Sequence, residues 1–238
     1  MILIRSTLFN ISAFVVTLVL GILGIPLVLG PRRWVCGLRD FWIRLVLELL
    51  KGTVGLSHRV EGQENLPKGP FMVASKHQSA WETLALHMVF DDPSIVLKRE
   101  LLKLPVLGFY ITKVGMVPID RGAGGSALKY MITEARKASG AGRPILIFPQ
   151  GTRVAPGGEG AYHSGVFALY RALDCPVVPV ALNSGSFWSR RAFFKRPGTI
   201  TVRILPVMPR GIDRKTFMKD LETTIETATR EIDKAAAV

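Results

Sequence analysis

Apolar residues dominate the first fifty positions of the chain and then recur in short runs between polar segments. From Ser6 to Pro31 no residue is charged, and the stretch Phe14–Leu29 is almost purely aliphatic. A helix of about 20 such residues is long enough to cross the hydrocarbon core of a bilayer. The stretch lacks the small-residue pair of a signal-peptide cleavage site, so the pattern predicts a retained membrane anchor.

A second amphipathic segment follows Pro31. Its charged residues recur every three or four positions, which places them on one helical face: Asp40, Arg44, Glu48 and Lys51. The opposite face is a wide apolar stripe typical of the lipid headgroup boundary: Phe41, Trp42, Leu45, Val46, Leu49 and Leu50. We expect residues 1–55 to form a two-helix membrane motif joined at Gly30–Pro31. The first helix spans the bilayer or both enter one leaflet; burial in a protein core is the alternative.

Beyond residue 55, short apolar runs alternate with helical patterns. The predicted strands are Phe71–Ala74, Ser94–Leu97, Met116–Ile119, Ile145–Phe148, Val177–Leu182 and Thr199–Leu205. Apolar residues at helical spacing predict a helix over Ser126–Ser139, and Lys215–Lys234 is predicted to be a polar closing helix. This alternation predicts an α/β domain over residues 56–238, with a mostly parallel sheet flanked by helices and with ligands bound beyond the strand ends.

The formal net charge of +13 indicates a surface that attracts anions: phosphorylated substrate, anionic lipid or nucleic acid. The basic residues are scattered and form no stripe with interleaved aromatic side chains, which argues against a nucleic-acid partner. Arg32, Arg33 and Arg39 outnumber Arg5 across the first apolar stretch. The positive-inside rule therefore predicts that the body of the chain lies on the cytoplasmic side of the inner membrane.

The segment Ser75–Thr83, with the sequence SKHQSAWET, has two interpretations. Ser79 and Glu82 have the spacing of a capping box, with Ser79 at the N-cap, which would make Glu82 structural. His77 precedes the same glutamate by five positions. A carboxylate that accepts one imidazole N–H fixes the tautomer of the ring, so the other nitrogen can take a proton from a hydroxyl group. This segment alone leaves a helix cap and a catalytic pair both open.

Four segments in order resemble the sequence blocks of the glycerolipid acyltransferase family, especially its bacterial 1-acyl-sn-glycerol-3-phosphate acyltransferases. They are Lys76–Glu82, Gly115–Arg121, Phe148–Arg153 and Val178–Asn183. The resemblance implies transfer of a fatty acyl group from acyl carrier protein or coenzyme A to the sn-2 hydroxyl of lysophosphatidic acid. The product would be phosphatidic acid, and no cofactor would be needed besides the thioester co-substrate.

The resemblance also implies roles for individual residues. His77 would be the general base, and Glu82 would stabilise the imidazolium that forms, without a serine or cysteine nucleophile. Residues after predicted strands would bind the acceptor phosphate through cationic, backbone or hydroxyl donors: Arg153, Arg121, Lys98, Gly151 and Thr152.

Two positions depart from the family pattern. Glu82 stands where the first block usually ends in Asp, which keeps the carboxylate and lengthens its reach by one methylene group. Gln150 stands where the third block usually has Glu, so a hydrogen bond is retained but a charge is lost, and the role of Gln150 stays open. The alternatives are an acyltransferase that uses lyso-ornithine lipid or glycerol-3-phosphate, and a catalytically silent lipid-binding module anchored to the membrane.

Other motifs and residues carry weaker signals. The chain lacks a Walker phosphate loop, a Gly-x-Ser-x-Gly elbow and a His-Glu-x-x-His helix, and Cys36 and Cys175 form no Cys-x-x-Cys, so we predict no metal site. His87 is predicted to be a packed core residue, and no catalytic role is expected for His58 or His163. Trp188 lies in an aromatic and basic patch, residues 186–196, that could contact membrane or an acidic carrier protein.

Overall fold

The computed structural model describes residues 1–120, 122–158 and 160–236. Its α-helices are α1 (Ile2–Leu23), α2 (Arg32–Val54), α3 (Trp81–Val89), α4 (Leu107–Val114), α5 (Gly124–Gly140), α6 (Gly165–Leu173), α7 (Ser184–Phe187) and α8 (Arg214–Ala236). Its strands are β1 (Leu56–Glu61), β2 (Met72–Ser75), β3 (Ser94–Lys98), β4 (Val117–Ile119), β5 (Ile145–Ile147), β6 (Val177–Leu182) and β7 (Gly198–Ile204). Short 3₁₀ helices cover Ile25–Leu29, Gln63–Asn65 and Arg99–Lys103.

The strands form one sheet in the order β1-β7-β6-β2-β5-β3-β4. Every neighbouring pair is parallel except β6 and β7, which are antiparallel. The central strands β2, β5 and β6 are buried along their whole length because helices cover both faces of the sheet. The predicted α/β architecture is confirmed, and each predicted strand lies within one residue of its observed bounds.

Strand β1 was not predicted. It lies at the edge of the sheet and pairs with β7 alone, so only its first residue, Leu56, is buried. An edge strand with one buried residue and several polar ones has no apolar run to reveal it.

Helix α1 is the one helix, among the described residues, that is long and apolar enough to cross a membrane. Its most apolar window has a mean hydropathy of 2.1, and only 11% of that window is buried within the protein. Large apolar side chains such as Leu8, Phe14 and Leu23 are exposed along it. Exposed apolar surface of this extent is typical of a segment that contacts lipid.

Helix α2 corrects one expectation from the sequence. Part of its apolar stripe faces the protein and not a headgroup boundary: Val46 and Leu50 are buried in the same hydrophobic cluster as sheet residues, and Trp42 and Leu49 pack against that cluster. Phe41 stays 55% exposed. An amphipathic period shows that one face is apolar but does not say whether protein or lipid covers it. The division of the chain into two domains at residue 55 stays a prediction.

A cluster of charged side chains fixes α2 to the sheet domain. Asp92, just after α3, forms ion pairs with Arg32 at 2.6 Å, Arg39 at 2.7 Å and Arg143 at 3.1 Å. Burial alone would raise the pKa of Asp92, but hydrogen bonds from Arg39 and Arg32 and the charge of Arg143 outweigh it, so the pKa is lowered. The ionised carboxylate therefore links α2 to the segment before β5.

Candidate active site

The site lies where the central parallel strands end. Strand β2 ends at Ser75, and the short segment that follows carries His77 before α3 begins. Strand β5 ends at Ile147, and the loop after it carries Gln150 and Arg153. Because β2 and β5 are parallel neighbours, their carboxyl ends bring these two loops together. The sheet thus joins two sequence segments that are about seventy positions apart.

His77 and Glu82 form the predicted pair. The Nδ1 atom of His77 lies 2.9 Å from Oε1 of Glu82, whose side chain is completely buried. The same oxygen accepts the backbone N–H groups of Gln78 and Ser79 at 2.6 Å, and Oε2 accepts the hydroxyl of Ser184 at 2.7 Å. With Nδ1 directed at a carboxylate, Nε2 is left as the nitrogen that can accept a proton.

The helix-cap interpretation also holds in part. Helix α3 begins at Trp81 after Ala80, one residue later than a cap at Ser79 would give. The hydroxyl of Ser79 nevertheless accepts the N–H of Trp81 at 3.1 Å, and Glu82 returns a bond to the backbone of Ser79. The carboxylate of Glu82 therefore serves the helix start and the histidine at once, so the two interpretations are compatible.

The ring and backbone of His77 are both held from the loop after β5. Its ring stacks on Phe148 with a centroid distance of 4.0 Å and an interplanar angle of 18°. Its backbone N–H donates to Oε1 of Gln150 at 3.3 Å, and its carbonyl accepts the N–H of Val154 at 2.8 Å. Gln150 thus contacts the backbone of His77, and Gln150 itself is only 2% exposed.

A cavity of about 1170 Å³ opens beside His77. Much of its wall is apolar and comes from α1, α2 and α4, including Leu20, Leu38, Trp42 and Ile111. The wall also carries polar residues, among them Gly151, Thr152, Arg153 and Lys98. A cavity slightly larger than most ligand sites, with a mostly apolar wall and a few polar groups, suits a long hydrocarbon chain with a polar head.

The structure brings together most of the predicted site residues. His77, Lys98, Gly151, Thr152 and Arg153 line the cavity, while Glu82 and Gln150 lie behind His77. Lys98 is 56% exposed and pairs with Glu100 at 3.0 Å. Gly151 has a φ of +65°, a conformation that suits glycine and turns the chain sharply at the strand end. Arg121 lies outside the described residues.

The remaining histidines differ in environment. His87 is 8% exposed, as predicted for a packed residue. Its burial and the positive charges of Arg39 and Arg143 lower its pKa to about 3, although the negative charge of Asp92 acts in the opposite direction. His58 is exposed on β1 and packs against Trp81. His163 lines the cavity on the loop before α6.

The aromatic and basic patch, residues 186–196, packs partly against α1. Lys195 is 4% exposed, accepts and donates hydrogen bonds with Ser6 through its backbone, and lies over the rings of Phe9 and Trp188. Phe193 and Phe194 of the patch are exposed, and Arg190 and Arg191 line the cavity. Its contact with a membrane or a carrier protein stays a prediction.

Sequence reasoning missed three contributors to the site. Ser184 follows the block Val178–Asn183 directly, so its position beside a strand end was a usable signal. Phe148 begins another block, and its stacking on His77 is a tertiary contact. Glu226 on α8 binds Lys76 from 150 positions away, and no pattern in the sequence points to it.

Comparison with known proteins agrees with this geometry. The family model described as Acyltransferase matches residues 57–183, more than half of the 238-residue chain. A 1-acyl-sn-glycerol-3-phosphate acyltransferase of Pseudomonas aeruginosa is 39% identical over 167 residues, which are 70% of this chain and 65% of that protein. The 1-acyl-sn-glycerol-3-phosphate acyltransferase alpha of Mus musculus is 31% identical over 193 residues, covering 79% of this chain and 67% of its own length. The matches thus span about two thirds of these relatives.

A solved structure shows the same fold. The crystal structure of the 1-acyl-sn-glycerophosphate (LPA) acyltransferase of Thermotoga maritima superposes with a TM-score of 0.79 at 21% identity, covering 98% of this chain and 96% of that one. The family match includes the segments that carry His77, Glu82 and Arg153. The chain therefore belongs to the acyltransferase family.

Proposed function

We propose that this protein transfers a fatty acyl group from a thioester to the sn-2 hydroxyl of lysophosphatidic acid, giving phosphatidic acid for phospholipid biosynthesis. The observation that carries the proposal is the pair of His77 and Glu82 beside a large, mostly apolar cavity. The names of the relatives support the choice of acceptor.

The proposed reaction needs no covalent enzyme intermediate. Nε2 of His77 takes the proton of the acceptor hydroxyl as its oxygen attacks the thioester carbonyl carbon. The C–S bond then breaks, and the leaving thiolate recovers that proton from the imidazolium. Glu82, 2.9 Å from Nδ1, stabilises the imidazolium in between. A base positioned in this way contributes a rate factor of roughly 10² to 10⁴.

The acceptor phosphate is proposed to bind at the polar residues that line the cavity. Arg153 supplies a planar guanidinium that can hold two phosphate oxygens, and Lys98 supplies a second charge. Thr152 offers a hydroxyl group. The N–H of Gly151 already donates to the carbonyl of Phe148 at 2.9 Å, so Gly151 contributes the turn and not the predicted donor. Arg121 completes the proposed set from the sequence resemblance.

The acyl donor is proposed to be acyl carrier protein or coenzyme A. Both present the thioester on a phosphopantetheine arm, whose phosphate suits the basic side chains of Arg190 and Arg191 in the cavity lining. The proposal calls for no cofactor besides this co-substrate. The acyl chain would occupy the apolar part of the cavity, between residues of α1 and α2 such as Leu20 and Leu38.

The protein is proposed to act at the inner membrane, with α1 in the bilayer and the sheet domain on the cytoplasmic side. The exposed apolar surface of α1 and the basic residues at the start of α2 support this orientation. Residues of α1 also line the cavity, so an acyl chain would have a short path from lipid to His77. Both a spanning helix and insertion into one leaflet agree with these features.

The test is acyl transfer by purified protein in detergent. Labelled acyl thioester of each donor is offered with lysophosphatidic acid, lyso-ornithine lipid or glycerol-3-phosphate. We expect product from lysophosphatidic acid, lost in His77→Ala and retained in the matched variant His58→Ala, whose histidine is exposed on β1. Preference for another acceptor would replace the proposed substrate. No product with any pair would favour the lipid-binding module.

A further inference from the structure

A partly buried ion pair lies next to the proposed base, with Lys76 buried and the side chain of Glu226 22% exposed. Lys76, the residue before His77, is 2% exposed, and its ammonium group donates to both carboxylate oxygens of Glu226, at 2.6 and 2.7 Å. A buried ammonium without a counter-charge is strongly unfavourable, so Glu226 is required to keep Lys76 in place. Glu226 belongs to α8, beyond the residues 57–183 that the family model matches.

Gln150 connects this ion pair to the backbone of His77. Its Oε1 accepts the His77 N–H at 3.3 Å, and its Nε2 donates to Oε1 of Glu226 at 3.4 Å. The hydroxyl of Tyr162 donates to the same carboxylate oxygen at 2.9 Å. Glu226 thus accepts hydrogen bonds from three residues. Two of them are connected to His77, because Lys76 precedes it in the chain and Gln150 accepts its backbone N–H.

The chemistry of this chain of hydrogen bonds requires an amide at position 150. The backbone N–H of His77 can only donate, and the ionised carboxylate of Glu226 can only accept. A side chain between them must accept on one side and donate on the other, which Gln150 does and an ionised glutamate cannot. A carboxylate there would also put two anions beside one ammonium group, in a place where both Lys76 and Gln150 are 2% exposed.

We propose that Gln150 and Glu226 are positioning residues for His77, and that Glu226 supplies the negative charge that position 150 lacks in this chain. Together they fix the backbone of residues 76 and 77, so that Nδ1 stays on Glu82 and Nε2 faces the cavity. The inference rests on the acyl transfer proposed above. It assigns a role to Gln150, which the sequence left open, and it implies that the glutamate usual at this position in the family would impair this chain.

The test is a reciprocal exchange of the two side chains. Gln150→Glu alone removes the donor and adds a charge, while Glu226→Gln alone leaves Lys76 without its counter-ion. Carrying both substitutions keeps one carboxylate and one amide, which restores the net charge near Lys76 and lets the amide at position 226 donate to the carboxylate at position 150. Lys76 and Tyr162 donate to the Glu226 oxygen that the new NH₂ group would replace, so the repair is partial. We expect each single variant to lose about 10- to 100-fold in kcat with little change in KM, because displacement of a catalytic group by about 1 Å costs about that much. The double variant should recover part of the kcat that the worse single variant loses.

Matched controls carry the same chemical changes elsewhere. Gln63→Glu adds a charge at an exposed position, and Glu222→Gln alters an exposed residue one turn earlier on α8; both should keep wild-type kcat. If Gln150→Glu does not fold, the variants Glu226→Gln and Tyr162→Phe are used instead. We expect a smaller loss of kcat in Tyr162→Phe, because that substitution removes a hydrogen-bond donor but no charge. Wild-type kcat in Gln150→Glu, or a double variant no better than the worse single one, would overturn the inference.

A second readout separates this inference from the proposed function. Hydrogen–deuterium exchange of the His77 amide, resolved to the single residue, needs no turnover. We expect faster exchange in Gln150→Glu and restored protection in the double variant. Absence of turnover in the wild type would refute acyl transfer, and unchanged His77 exchange in both single variants would refute the positioning role.

Discussion

Replacing Glu82 by glutamine tests whether the buried carboxylate acts as an anion or only as a hydrogen-bond acceptor. Its Oε1 accepts His77 and two backbone N–H groups, so the amide oxygen of the variant can take over those bonds. The new NH₂ group would then face the hydroxyl of Ser184, which can accept as well as donate. We therefore expect Glu82→Gln to fold and to keep the position of His77.

The loss should be in rate, because in the proposed reaction His77 takes up a proton and becomes positively charged beside Glu82. A full positive charge 2.9 Å from the carboxylate is stabilised by about 6 kcal/mol at an effective dielectric constant of about 20. With the proton half transferred the stabilisation is about 3 kcal/mol, which corresponds to roughly a 100-fold change in rate. We expect kcat to fall by between about 10² and 10⁴, the upper limit corresponding to complete proton transfer.

The assay follows thiol release from the acyl thioester with saturating lysophosphatidic acid, alongside thermal unfolding of the same preparations. Glu64→Gln, at an exposed position in the Gln63–Asn65 turn, is the matched control and should keep full activity. A loss below about 10-fold in Glu82→Gln, with an unchanged unfolding temperature, would show that the negative charge is not used and would refute the reasoning.

Three further predictions concern binding and stability. Arg153→Ala should raise KM for a phosphorylated acceptor more than KM for the donor; equal effects in steady-state kinetics would place Arg153 elsewhere. Asp92→Asn should lower the free energy of unfolding by about 3 kcal/mol or more, since three arginines lose their shared counter-charge, and an unchanged denaturant midpoint would contradict this. His87 has a folded pKa of about 3, so the unfolded chain binds a proton below pH 6.5 that the folded chain does not. Stability should therefore fall as pH drops from about 6.5 towards 3, and His87→Phe should flatten that slope in unfolding measurements.

Local features of the sequence predicted much of the fold and the centre of the site. The central strands are apolar on both faces and bounded by breakers, so β6 was predicted to the residue and the others to within one. The distance from His77 to Glu82 is set by five residues around a helix start, a geometry that depends little on the rest of the chain. Helix α1 can be predicted from composition alone, because it contains no charged side chain after Arg5.

What only the tertiary structure decided involves contacts between distant segments. Helix α2 has the same amphipathic period whether lipid or protein covers its apolar face, and the fold places Val46 and Leu50 in the core. The role of Gln150 depends on Glu226, which α8 brings to it across 76 positions. A hydrogen bond between two buried polar side chains produces no periodic pattern in the sequence. Each of the two residues also occurs in many other environments, so neither one identifies its partner before the fold is known. The sequence by itself therefore determined the pairing of His77 with its carboxylate, and the packing of α8 against β6 and β7 brought Glu226 to Lys76 and Gln150.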